Sequence, residues 1–240
     1  MGLIGNELFK LRTIRSSWLL LAIQQAVVVA GISGLAIDVE KASGAQRLVA
    51  HAGVASALLT LVLGITAVAG EYRHKSITDV YIATPRRARV IGAKLIAFTL
   101  VGALLGLISA ANGVITTSVW LAAKGIDVDL MAEPIGRALI GIVAYNALFA
   151  AIGVSLGALV RNLTGAVAVA LSWIALFETT VANLVKDVAQ WLPNRSGMAL
   201  DYMPLNSNSL DQWAAGLVLA GYALLFAVIA VSTTVRRDVT

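Results

Sequence analysis

The chain has 240 residues, a net charge of +5 and no cysteine. Hydrophobic residues make up 59% of it and charged residues only 13%, with a mean hydropathy of +0.86; a soluble domain is nearer ~25% charged. This composition excludes disulfides and thiolate chemistry and leaves little chain for a separate soluble domain, so hydrolysis of a soluble energy source would fall to another polypeptide.

Leu3 or Ile4, Leu8, Leu11 and Ile14 recur at helical spacing, with Glu7, Lys10 and Arg12 interleaved. Residues 3–15 therefore read as an amphipathic interfacial helix whose Lys and Arg lie near lipid phosphates. Six apolar stretches follow. Ser16–Ile37, Ala52–Gly70, Leu95–Ala123, Ala138–Val160 and Gln212–Val235 contain no Asp, Glu, Lys or Arg, and Asn162–Val185 contains only Glu178. The hydrocarbon core of a bilayer is ~30 Å thick, so about 20 mostly apolar residues cross it as a helix. The expected fold is all-α and polytopic, one transmembrane domain with spans at 16–37, 52–70, 95–122, 138–160, 163–183 and 213–235. The first run is longer than a signal-peptide core and reads as a span.

Small residues four apart in the third span (Gly102, Gly106, Ala110) and the fourth (Gly153, Gly157) allow close helix approach, with packing inside one subunit the expected use. Gln24 and Gln25, Asn112 with Thr116 and Thr117, and Asn146 are expected to bond across helices. Glu178, the one acid within a span, is either functional or a hydrated or hydrogen-bonded interfacial group.

Segment 71–90 joins the second and third spans and is the most polar part of the chain. Ser76 is placed to cap a short helix with Asp79 at its third position, and Pro85 stops it. Ile77, Val80 and Tyr81 would form its apolar face beside a basic skirt that includes Arg86, a docking knob for a cytoplasmic partner. Residues 184–212 are too polar to span and too apolar for a plain loop. Leu184, Val185, Val188, Trp191 and Leu192 have helical spacing up to Pro193, and an interfacial or re-entrant helical pair is expected. Asn194-Arg-Ser196 fits a glycosylation sequon, a match common by chance.

Of the 18 Lys and Arg, 12 fall on the side of the termini; Lys41, Arg47, Lys124, Arg137, Lys186 and Arg195 make up the other 6, and the acids divide 4 against 9. The positive-inside rule places both termini in the cytoplasm, and the basic balance reads as topology and contact with anionic lipid rather than nucleic-acid binding. No Gly-x-x-x-x-Gly-Lys-Ser/Thr loop, no His-Glu-x-x-His pattern and no Gly-x-Ser-x-Gly elbow occurs. No catalytic, cofactor or metal residue is assigned, and the chain is read as a non-enzyme.

Several of these features together resemble the membrane permease subunit of type-2 ABC transporters, a class that includes bacterial exporters. They are the opening Asn6–Trp18, the central Gly70-Glu-Tyr-Arg-His-Lys-Ser-Ile-Thr with Ala83-Thr-Pro-Arg-Arg and Ala93-Lys-Leu95, the helical segment before the last span, and the ending Arg236-Arg-Asp-Val239. The resemblance implies a multi-pass subunit of a bacterial cell membrane. It would pair with a second permease subunit, identical or different, and bind separate ATPase subunits that hold ATP and Mg. The helix near 76–84 would be the coupling helix, with Glu71 and Arg73 as a charged pair tying it to the interfacial helix. Val62, Thr66, Trp173, Phe177 and Glu178 would line the path of an amphipathic or hydrophobic cargo.

Overall fold

The computed structural model describes residues 2–13, 15–73, 87–203 and 209–236. It is helical, and no strand occurs among the described residues. Helix α1 is Leu3–Thr13, α2 is Arg15–Ala36 and α3 is Ala45–Arg73, the last preceded by a 3₁₀ turn at Ala42–Gly44. Helices α4 (Arg87–Ala123) and α5 (Glu133–Val160) follow, then α6 (Leu163–Leu184), whose middle, Trp173–Glu178, is a π-helical turn. Two short helices, α7 (Lys186–Ala189) and α8 (Pro193–Leu200), precede α9 (Gln212–Arg236). Helices α2, α3, α4, α5, α6 and α9 are long and apolar enough to cross a membrane. The chain is a multi-pass helical membrane protein.

The spans extend past the uncharged stretches. Helix α3 begins at Ala45 and runs to Arg73, and α4 begins at Arg87. Both ends of the 71–90 segment therefore continue spans. Ser76, Ile77, Asp79, Val80, Tyr81, Pro85 and Arg86, on which the docking reading rests, lie outside the described residues, as does most of the Arg236–Val239 ending. Between α6 and α9 the helical pair breaks at Val185 rather than only at Pro193. Proline lacks an N–H and has φ preset for a helix, so Pro193 opens α8 at its first turn.

Helix ends carry their own signals. Trp18 Nε1 donates to Arg12 O at 3.0 Å, covering a terminal carbonyl of α1. Lys124 Nζ donates to the carbonyls of Ala36, Ile37 and Val39 at 2.7, 2.7 and 2.9 Å, so a basic residue just past α4 closes the end of α2. Arg161 takes a left-handed φ of 54° to end α5, and the Asn162 side chain accepts from Gly165 N at 3.0 Å to start α6.

Packing is centred on α3 and α5. In their most apolar windows, 61% and 56% of residues are buried, against 17% in α6 and 22% in α2 and α9. Lipid tails are as apolar as leucine, so helices in a bilayer adhere through close contact rather than hydrophobic exclusion. The glycines supply it. A methyl group on Gly153 would overlap Leu61 O and come within 3.1 Å of Gly64 Cα; one on Gly64 would overlap Ala150 O. Gly157 lies over Ile65 O, and Gly102 and Gly106 lie over the α5 backbone at Asn146–Ala147 and Ile142–Val143. The small-residue repeats thus pack spans within one subunit.

Polar side chains inside the bundle join helices. Gln24 Nε2 donates to Thr60 Oγ1 at 3.1 Å, Thr60 Oγ1 donates to Asn146 Oδ1 at 2.7 Å, and Asn146 Nδ2 donates to Ser56 Oγ at 2.9 Å, linking α2, α3 and α5. Asn112 Nδ2 donates to Gln25 Oε1 at 3.0 Å, Gln25 Nε2 to Ser109 Oγ at 3.0 Å and Thr116 Oγ1 to Asn112 Oδ1 at 3.2 Å, linking α2 and α4. Thr117 is different: its buried hydroxyl has no partner among the described residues.

Gly153→Val should destabilise the chain by about 1–3 kcal/mol, the range for overpacking a filled interface. Gly221→Val, at a position with nothing within 4 Å, should be near neutral. Thermal unfolding of the two variants in one detergent, followed by gel filtration, checks the difference.

Candidate functional site

Two constructed sites stand at opposite ends of the bundle. At the end that carries the N-terminus, four charged side chains from three helices meet. Lys94, near the start of α4, is fully buried. Its Nζ donates to Glu7 Oε2 at 2.7 Å, to Glu71 Oε1 at 2.8 Å and to Ala67 O at 3.3 Å. Lys10 Nζ donates to Glu7 Oε1 and Glu71 Oε1, both at 2.9 Å. Two carboxylates and two ammonium groups balance, which is the condition for holding charge away from water.

Local structure sets this up. Glu7 and Lys10 are three apart and share one face of α1, while Glu71 and Lys94 lie near the facing ends of α3 and α4. Partial burial works against the charge of Lys10, but the hydrogen bonds and charges of Glu71 and Glu7 outweigh it and raise its pKa above the ordinary lysine value. Its charge is therefore held throughout neutral pH.

This arrangement changes one sequence-based expectation. Lys10 turns to the carboxylates, among them the buried Glu7, rather than to lipid phosphate. Glu71 joins the base of α3 to α1 through Lys10 and Lys94, and Arg73 is exposed and forms no ion pair among the described residues; the helix near 76–84 that this pair was expected to tie to α1 lies outside the described residues. Glu71 Oε2 is buried with no partner among the described residues, which leaves one acceptor over, three residues before segment 74–86 begins.

At the opposite end, residues 186–203 fold back against the spans. Glu178 is 2% exposed, so it is neither hydrated nor lipid-facing. It accepts from Trp173 Nε1 at 3.1 Å, and both of its oxygens accept from Asn194 N, at 3.2 and 3.1 Å. A carboxylate here meets the open backbone amides and positive dipole end of α8. Tyr145 OH donates to Asn194 Oδ1 at 2.7 Å, and Gly197 fits against the Tyr145 ring with no room for a Cβ. Gln212 Nε2 donates to Leu200 O at 2.9 Å and Arg137 O at 2.8 Å, and Gln46 Nε2 donates to Tyr202 O at 2.8 Å. The sequon asparagine is therefore buried in a contact and is not a free surface group.

Directly after α8, Asp201 is fully buried, and neither of its carboxyl oxygens has a hydrogen-bond partner among the described residues. The carboxyl lies on Gly53 of α3, where any Cβ would overlap it, and its Cα lies on Gly141 of α5. Burial raises its pKa well above the ordinary carboxylate value.

The five candidate path residues are not gathered in one place. Trp173 and Phe177 stack on one another, centroids 4.2 Å apart, and remain about half exposed on the flank of α6. Glu178 is turned inward to α8, and Thr66 donates back to Leu63 O within α3 at 2.8 Å. Val62 is half-buried on α3. None of the five lines the 310 Å³ cavity found between α1, α2, α3 and α4.

The sequence reading did not single out Asp201, Tyr145, or Glu7 and Lys10 as an ionic pair. A charge inside the helical spacing of α1 was the only available signal for the last two. Among the described residues, no group of three or more His, Asp or Glu is placed to hold a metal ion. The chain matches no protein-family model, and no curated protein matches it in sequence.

Glu71→Gln should cost about 3–5 kcal/mol, because it leaves Lys94 and Lys10 sharing one carboxylate; a lowered unfolding midpoint and faster proteolysis within α1 are the readouts. At Asp201 the sign is opposite to that of an ordinary salt-bridged acid. The folded state holds this proton more tightly than the unfolded chain. Its contribution is thus fully present below the ordinary carboxylate pKa, and is lost as pH rises from there towards the raised folded value. Asp201→Asn should therefore be more stable than the parent at pH 8, by about 2 kcal/mol or ~5 °C, and similar to it at pH 4. Melting curves of both proteins across that range check it.

Proposed function

We propose that the chain is the membrane permease subunit of an ATP-driven exporter of the type-2 ABC class. In this reading it forms half of a path for an amphipathic or hydrophobic cargo and works with a second permease subunit. A separate ATPase hydrolyses the ATP, and both termini lie in the cytoplasm of a bacterial cell.

One observation carries the reading. Residues 74–86, which join α3 to α4 on the basic face, are bracketed by a four-charge cluster in which Glu7 and Lys94 are buried. Glu71 lies three residues before that segment and Lys94 eight residues after it, and both are fastened to α1. A force applied to the segment would move the ends of α3 and α4 with α1 as one body, because separating the ions costs several kcal/mol. Helix α3 would then pass the movement to α5 through the Gly64, Gly153 and Gly157 contacts. That is the mechanical requirement of a docking segment that couples ATPase motion to transmembrane helices.

Two further observations support it. The thinly packed α6, with Trp173, Leu176 and Phe177 exposed, supplies apolar surface for a second subunit or a cargo. At the far end, residues 186–203 close over α3, α5 and α9, and Asp201 at the Gly53 seam has no hydrogen bond among the described residues to lose when that contact opens.

The test is purification of the detergent-solubilised chain with mass spectrometry and an ATPase assay on the eluate. A stoichiometric nucleotide-binding subunit is expected, with its retention reduced at least tenfold, about 1.4 kcal/mol, by Ile77→Asp with Tyr81→Asp. The chain alone with no ATP turnover would favour a secondary transporter. A retained ATPase without ATP-dependent cargo movement in vesicles would favour a non-transporting anchor.

A further inference from the structure

A cavity of about 310 Å³ lies where α1 meets the sides of α2, α3 and α4. Its wall is aliphatic: Leu8 from α1, Leu21 from α2, Leu63 from α3, and Leu104 and Leu105 from α4. Gln24, at its deep end, already spends its amide nitrogen on Thr60 and the Ser56 carbonyl. Among the described residues, the only charged one of the wall is Arg12, in the last turn of α1. Arg12 is exposed and forms no ion pair among the described residues, since Glu7 is committed to Lys10 and Lys94. Trp18 stands beside it, 57% exposed, with its indole N–H bonded to Arg12 O.

We propose that this groove is a binding site for one anionic phospholipid of the leaflet in which α1 lies, its phosphate on Arg12 and one acyl chain between α2 and α4. The shape follows the ligand. The groove runs from Trp18 to Gln24 on α2 and from Val101 to Ile108 on α4, about 10 Å along the helix axes. That is some two-thirds of the ~15 Å hydrocarbon depth of one leaflet. A tryptophan at the interface marks the level of the headgroup, and an unpaired guanidinium there matches a phosphate bidentately. Charge selects the lipid. The wall holds a cation and no acid, so a net-anionic headgroup is preferred over a zwitterionic one of equal chain length. A bound acyl chain would fill the space between α1 and the spans and hold the interfacial helix against the ionic cluster. This inference is separate from the transport reading and stands on the groove alone.

Native mass spectrometry of the purified full chain, with dioleoyl phosphatidylglycerol and dioleoyl phosphatidylcholine as competing probes, tests it. The parent should retain one phosphatidylglycerol in preference to phosphatidylcholine. Arg12→Gln should reduce that preference about fivefold, the factor for one basic residue at an anionic surface, without changing phosphatidylcholine retention. Leu21→Trp, which fills the groove, should reduce retention of both lipids. Leu217→Trp, on the exposed flank of α9, should reduce neither. Equal retention by the parent and both groove variants overturns the proposal. So does loss of a dimer mass rather than of lipid in Leu21→Trp, which would assign the groove to a second copy of the chain. If Leu21→Trp does not fold, the headgroup preference of Arg12→Gln decides alone.

Discussion

The close approach of α3 to α5 is the contact on which the rest of the bundle depends. Spans in a bilayer gain little from mutual apolar surface, so what holds them is the number of atoms brought to van der Waals distance. Gly64 on α3 faces the backbone at Ala150–Val154, and Gly153 and Gly157 on α5 face the backbone at Leu61 and Ile65. The two helices touch backbone to backbone over two turns, and α4 repeats the arrangement on α5 through Gly102 and Gly106. Helices α2, α6 and α9 are then added at the periphery, where most of their surface remains for lipid or another chain.

Close backbones also decide which polar groups the bundle tolerates. Asn146 can reach Thr60 and Ser56 because α3 and α5 are so near, and Gln24 then completes the chain of bonds from α2. The same rule is enforced more sharply where charge is involved. Lys94 sits in a span with no exposure, and it stays there because Glu7 arrives from a different helix. An amphipathic helix that reads as a lipid-surface element is thereby part of the protein interior on one face. Its other face, with Leu8, Phe9 and Arg12, is exposed.

The opposite end is built from weaker, more separable parts. Helix α8 is held by the Glu178 carboxylate at its first turn, by Tyr145 OH on Asn194, and by amide groups of Gln46 and Gln212 on carbonyls of residues 200 and 202. Asp201 adds burial without a hydrogen bond among the described residues. One end of the protein is thus fastened by ion pairs and the other by single hydrogen bonds beside an unpartnered acid.

Length and hydropathy alone determined the six membrane-crossing helices, because a bilayer demands about 20 apolar residues and each candidate stretch meets that length with almost no charge. The helix before the first span, the helical pair before α9 and the interhelical role of Gln24, Gln25, Asn112 and Asn146 were also readable, since spacing and residue type carry them. The tertiary structure decided which groups face each other. Glu7, Glu71 and Lys94 come from positions up to 87 residues apart, and no local pattern distinguishes them from ordinary flanking charges. Glu178 had two open readings until α8 put its backbone amides on the carboxylate. Asp201 looked like one more loop acid, and only its position on Gly53 and Gly141 made it a buried one. Periodicity reports which side of a helix is apolar; it holds no information on what another helix will place against that side.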